Sequence, residues 1–230
     1  MSRKFLNLAL AGLVLLSSNF ANASLITHSG YTLNTETNIV TGETLEWLQW
    51  DETAGLTVEQ VLNDYDGWSL ANSSHMAQLF SDFFPEYTWV ADENLNQDNW
   101  GTFGVDSVHM NFVELFGATY TVPADRQGLY FDEYAVTSAY FGHDDDQDGA
   151  INAAYVRDGY GFASSGSEIP PVAVLYTDWV TPADQGESRY GVALVRTVGS
   201  GENTVAVPEP NILVIFVLGL LVVGSRRLLK

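Results

Sequence analysis

Apolar residues along this chain keep helix-like spacing in much of its first half and strand-like spacing in its second. Met76, Leu79, Phe80 and Phe83 fall three and four residues apart, which predicts a helix capped by Ser73 or Ser74. Val108, Phe112, Leu115 and Phe116 repeat the pattern, with Asp106 as the expected cap and Gly117 as the stop. Thr57 precedes Val58-Glu59-Gln60, so Gln60 stands at the capping-box position of a short helix. Residues 44–50 read as a strand, with Leu45, Trp47 and Gln49 on one face and Glu46, Leu48 and Trp50 on the other. Residues 24–41, rich in Thr, Ser and Asn, read as a strand with loops. From Gly128 onward, short β-type runs at 129–134, 136–141, 150–156, 172–177 and 191–198 are separated by turn residues. Together these patterns predict one α+β domain, with short helices in the first half and a mostly antiparallel sheet in the second. No repeat of 20–50 residues is visible, which disfavours solenoids and propellers.

The two ends follow another logic. Arg3 and Lys4 precede an apolar run over residues 8–16, and Ala21-Asn22-Ala23 supplies a small-x-small cleavage pattern. Residues 1–23 are therefore expected to be a secretory signal peptide, cut after Ala23. At the other end, Pro208-Glu209-Pro210 leads into an apolar run and then Arg226-Arg227-Leu228-Leu229-Lys230. From Ile212 to Val223 a helix rises only about 18 Å, against a bilayer core of roughly 30 Å. Leu228 and Leu229, with both arginines snorkelling, extend it toward a span. We expect a transmembrane helix over 211–225, with its basic tail on the cytoplasmic side. Residues 199–207 read as a flexible tether, and residues 24–198 as the ectodomain.

The ordered set of Val207-Pro208-Glu209-Pro210, the apolar run and Arg226-Arg227 closely resembles the PEP-CTERM sorting signal of Gram-negative bacteria. The resemblance covers residues 207–230. It implies recognition by an exosortase in the inner membrane, signal peptidase cleavage at the other end, and removal of the anchor on the way to the surface or matrix. The two prolines suit that role, because they withdraw backbone donors and hold an extended segment that a protease can grip.

Composition narrows the partners. Between the two end segments lie about 184 residues, enough for one domain with its own core. Their cations are Arg126, Arg157, Arg189 and Arg196, with no lysine, against all the acidic residues except Glu209. Four positive charges against 28 negative ones (29 less Glu209) leave a formal charge of −24. Nucleic acid and anionic membrane surfaces are repelled by such a domain, whereas divalent cations and a salty exterior suit it. There is no cysteine, so thiol catalysis and thiolate metal sites are excluded and packing alone must hold the fold. Six Trp, eleven Tyr and twelve Phe argue against disorder.

A second resemblance concerns the ectodomain. Asn38-Ile-Val-Thr-Gly42, Leu45-Glu46-Trp47-Leu48, Gly55-Leu56-Thr57 and Gly67-Trp68-Ser69-Leu70-Ala71 follow the order that opens a recurrent PEP-CTERM ectodomain. The run Arg189-Tyr190-Gly191-Val192-Ala193-Leu194-Val195-Arg196 looks like its last strand. The series is similar to Lcl-type C-terminal domains, of the C-type-lectin-like class, over residues 38–80 and 189–196. Ser69 departs from this pattern, where the family often has Arg, as does Ser74-His75, where an acidic residue is common.

Candidate chemistry centres on His143-Asp144-Asp145-Asp146-Gln147-Asp148-Gly149. Asp144, Asp146 and Asp148 alternate as in the first half of an EF-hand loop, so their carboxylates can converge on calcium. Position twelve of such a loop is Tyr155, which supplies no bidentate carboxylate, and a solvated acidic hairpin tip fits the same residues. The pairs Asp64/Asp66, Asp92/Glu93 and Asp132/Glu133 are candidates for acid–base hydrolysis of sugars, although close acid pairs arise by chance in so acidic a domain. His28, His75, His109 and His143 share no metal-ligand spacing. Trp47, Trp50, Trp68, Trp89, Trp100 and Trp179 are divided between core packing and exposed rings that stack on sugars. The leading expectation is a non-enzymatic exported surface or matrix protein. The alternatives are a calcium-dependent or carbohydrate-binding extracellular module and, last, an exported hydrolase.

Overall fold

The computed structural model describes residues 24–101, 107–123, 134–144, 150–159, 161–162, 168–180 and 186–199. The chain divides into two units, Met1–Val198 and Gly199–Lys230. The signal peptide with Ala21 and Ala23, the tether from residue 200, Pro208, Glu209, Pro210, the 211–225 helix, Arg226 and Arg227 all lie outside the described residues. Among the described residues no helix is long and apolar enough to cross a membrane.

The fold is mixed α+β. Three α-helices are described: α1 (Val58–Asp64), α2 (Ser73–Phe83) and α3 (Val108–Phe116). The strands form two large sheets and one small hairpin. The first large sheet joins β1 (Leu25–His28), β2 (Tyr31–Asn34), β3 (Ile39–Thr41), β4 (Leu45–Leu48) and β5 (Ser69–Leu70) with β14 (Leu194–Thr197), which lies between β4 and β5. The second joins β6 (Gln97–Trp100), β7 (Tyr120–Val122), β8 (Tyr134–Phe141), β9 (Ile151–Arg157), β12 (Val172–Val180) and β13 (Gly191–Val192). The hairpin pairs β10 (Gly161–Phe162) with β11 (Glu168–Ile169). Among the described residues all pairings are antiparallel except β13 with β8.

Register explains how the core forms. Ile26, Leu33, Val40, Trp47 and Val195 stand opposite one another across five strands, so one face of the first sheet is a continuous apolar row. On the second sheet Ala139, Ala154 and Leu175 align, as do Thr137, Val156 and Ala173. These mostly small residues let the aromatic faces of α2 and α3 come close. Phe112 stacks on Phe116 at 4.5 Å and meets Phe83 at 4.9 Å and Trp50 at 5.4 Å. One cluster of buried side chains thus includes both helices and an inner face of each sheet.

Several expectations are corrected here. Residues 24–41, expected to be one strand with loops, form three strands of a sheet. The two-residue turn Ser29-Gly30, both with positive φ, closes the first hairpin. The cap of α2 is Asn72, which accepts from the His75 backbone N–H at 2.9 Å, and Ser73 is already helical. Ser107 caps α3, accepting from Met110 N–H at 3.2 Å; Asp106 lies outside the described residues. The predicted 191–198 strand is two strands, since the chain leaves the second sheet at Val192 and enters the first at Leu194. The Thr57 capping box and the Gly117 stop, at φ 78°, are as expected.

Candidate functional site

The outer face of the second sheet gathers polar and aromatic groups that the strand alternation turns away from the core. Arg157 on β9 stands opposite Val172 on β12, and Val172 stands opposite Trp100 on β6. One step along, Tyr155, Val174 and Asp98 form the adjacent row. Tyr176 follows on β12, its ring edge-on to Tyr155 at 6.4 Å. On the other side Tyr134 of β8 lies under the Arg157 guanidinium, 5.5 Å from its centroid, and Tyr120 of β7 under that of Arg189, at 5.4 Å.

Trp100 is 55% exposed, whereas Trp47, Trp50 and Trp89 are buried. Its indole N–H donates to Asp98, two residues back on the same face, which fixes the ring where solvent can reach it. Tyr134, Tyr155, Arg157 and Tyr176 are half-buried above buried Val172 and Val174. The Tyr155 hydroxyl is hydrogen-bonded to Tyr120. Burial pushes the phenols of Tyr120, Tyr155 and Tyr176 upward, with the Arg157 charge working against it at Tyr155 and Tyr176. These hydroxyls therefore stay neutral at physiological pH and serve as donors and acceptors, not as bases.

The candidates read from the sequence separate in space. Trp47, Trp50 and Trp89 are core; Trp68 is covered by the Arg196 guanidinium at 4.4 Å; Trp179 falls in β12. Arg196 also pairs with Glu46 at 2.6 Å. Asp144 is exposed just beyond β8, while Asp146 and Asp148 lie outside the described residues. Among the described residues no three His, Asp or Glu side chains are grouped as a metal would need. Asp64, Asp66 and Asp92 are exposed, and Asp132/Glu133 lie outside the described residues. The histidines are scattered: His28 meets Glu114 at 2.8 Å, His75 completes the α2 cap, His143 is exposed and His109 is buried.

Attention to tryptophans alone misses the tyrosines and Arg157. The available signal is period two: Tyr155-x-Arg157 and Val172-x-Val174-x-Tyr176 place them on one face once each run is taken as a strand. No known protein family, curated protein or solved structure matches this chain.

Proposed function

We propose that this chain is a non-enzymatic, exported cell-surface or extracellular-matrix protein, sorted through its C-terminal PEP-CTERM-like segment. The observation that carries the proposal is the order of parts: signal peptide over 1–23, lysine-free acidic domain, Pro208-Glu209-Pro210, apolar run, Arg226-Arg227. Signal peptidase and an exosortase are the processing partners implied by that resemblance, and the inner membrane is a temporary station. A strongly negative domain repels anionic surfaces and stays soluble outside the cell. Membrane fractionation tests the reading. The full-length precursor partitions with the inner membrane, whereas a chain ending at Val207 is released to the soluble exported fraction; identical fractionation of the two defeats the proposal.

A second reading, a carbohydrate-binding module, is favoured by the outer face of the second sheet. An exposed, pinned indole beside half-buried tyrosines offers flat apolar area with neutral hydroxyls at its margin, which suits the mixed surface of a sugar ring. The Lcl-type, C-type-lectin-like similarity belongs to this reading.

A further inference from the structure

Arg157 is, among the described residues, a cation without a counter-ion in a domain crowded with acids. Among the described residues the ion pairs are His28 with Glu114 and Arg196 with Glu46, and Arg157 is in neither. Its Nη2 donates to the Pro170 carbonyl at 2.5 Å, and its Nε is buried with no hydrogen-bond partner. Two nearby carboxylates are engaged elsewhere. Asp158, its chain neighbour, accepts the Ala135 backbone N–H at 2.8 Å, and Asp98 holds the Trp100 indole. A half-buried guanidinium left this way costs free energy, and a planar fork of donors matches a carboxylate better than any other common anion except phosphate. The enclosed Nε is a donor that no protein acceptor satisfies, which marks Arg157 as a guanidinium the fold leaves under-paired.

The surroundings say what carries that carboxylate. Arg157 and Trp100 flank Val172 on adjacent strands, which sets their Cβ atoms roughly 10 Å apart. Between and beside them are Val174, Tyr155 and Tyr176, so an apolar and phenolic floor lies next to the charge. Such a floor suits a flat ring bearing hydroxyls. The domain's formal charge of −24 disfavours a general polyanion sink, so recognition must come from short-range fit at one guanidinium.

We propose that Arg157, Trp100 and the Tyr155–Tyr176 pair form a subsite for a uronic-acid unit of a matrix polysaccharide. The carboxylate meets the Arg157 fork and the sugar ring lies against the indole and the phenols. This inference rests on the carbohydrate-binding reading above and specifies its substrate class. It is tested by calorimetric titration of the full-length chain in detergent with an oligogalacturonate and with the same oligomer fully methyl-esterified. The acid form binds at least about tenfold more tightly than the ester, a difference near 1.4 kcal/mol. Arg157→Gln abolishes that preference, and Trp100→Ala weakens binding of the acid form without lowering the melting temperature, because the ring is open to solvent. Should Arg157→Gln fail to fold by circular dichroism, Arg157→Lys retains the charge but loses the fork, and must lose the preference as well. Equal binding of acid and ester, or a preference unchanged by these substitutions, overturns the uronate proposal and leaves carbohydrate binding standing. Absence of binding to either oligomer overturns both. Hexaglutamate binding as tightly as the uronate overturns it in favour of a peptide ligand.

Discussion

A Gly191→Ala variant is strongly destabilised. Gly191 opens β13 against Ala139 of β8, and its Cα faces the backbone of Trp50. An added Cβ would sit 1.8 Å from the Trp50 carbonyl oxygen, 2.7 Å from its carbon and 2.9 Å from Thr53 Oγ1. Two of those three contacts are backbone, so no side chain can swing away. Nor can the Trp50–Thr53 turn retreat: Thr53 Oγ1 donates to the Trp50 carbonyl at 3.1 Å and accepts the Val192 N–H at 2.7 Å. The Trp50 ring packs against the stacked Phe112 and Phe116 rings, 5.4 and 5.2 Å away. Overpacking a dense core costs about 1–3 kcal/mol where neighbours can relax, and here the expected cost is about 3 kcal/mol or more. Urea unfolding followed by tryptophan fluorescence checks this, and a midpoint unchanged from the parent chain would refute it.

The second large effect is on acid. His109 lies on α3 with its edge against Gly101 and its ring 4.8 Å from Phe84, and it is only 3% exposed. Burial pushes its pKa down from 6.5 to about 4; a hydrogen bond to the Asn99 backbone opposes this and the Arg157 charge adds to it. Above pH 6.5 neither folded nor unfolded chain protonates this ring, and its neutral state is at no disadvantage. Below 6.5 the unfolded chain takes up the proton first, so stability falls with pH until about 4, where the folded ring also titrates. The full loss is on the order of 3 kcal/mol, of which about 2 kcal/mol is reached by pH 5. His75, also lowered by burial, acts in the same sense. Asp51 and Asp158, pushed up by burial, act in the opposite sense: each gives up stability as pH rises above 3.8. The difference between the parent and His109→Gln isolates the histidine. Urea unfolding at pH 7.5 and pH 5, above the isoelectric point near 4.1, should show a pH penalty in the parent that shrinks by about 2 kcal/mol in the variant. An equal penalty in both would contradict the assignment.

Local rules served the sequence reading well where they act alone. The Thr57 capping box, the Met76–Phe83 apolar stripe and the Gly117 stop depend on residues within one or two turns, and each is realised in the structure. What depends on distant partners was harder to see. β6, with the sequence Gln-Asp-Asn-Trp, has no alternation and little strand propensity; it is a strand because β12 pairs with it. Asn72 outcompetes two serines as the α2 cap because His75 can return the bond to the Asn72 N–H. The split of 191–198 between two sheets leaves no trace in hydropathy, since Val192, Ala193, Leu194 and Val195 are all buried. Ser29-Gly30 was the readable signal for the first hairpin, outweighed by the polar composition around it. Of the candidate face, Trp100 was legible as one of six tryptophans, but Arg157 came forward only when register set it beside Val172, with no carboxylate paired to it among the described residues.

Intact-mass spectrometry of the form recovered from the cell surface or matrix decides whether both end segments are targeting signals. The expected chain begins at Ser24 and ends within or just before Pro208-Glu209-Pro210, with the apolar run and Arg226-Arg227 gone. A surface form that still carries Met1 or the complete tail to Lys230 would contradict that reading.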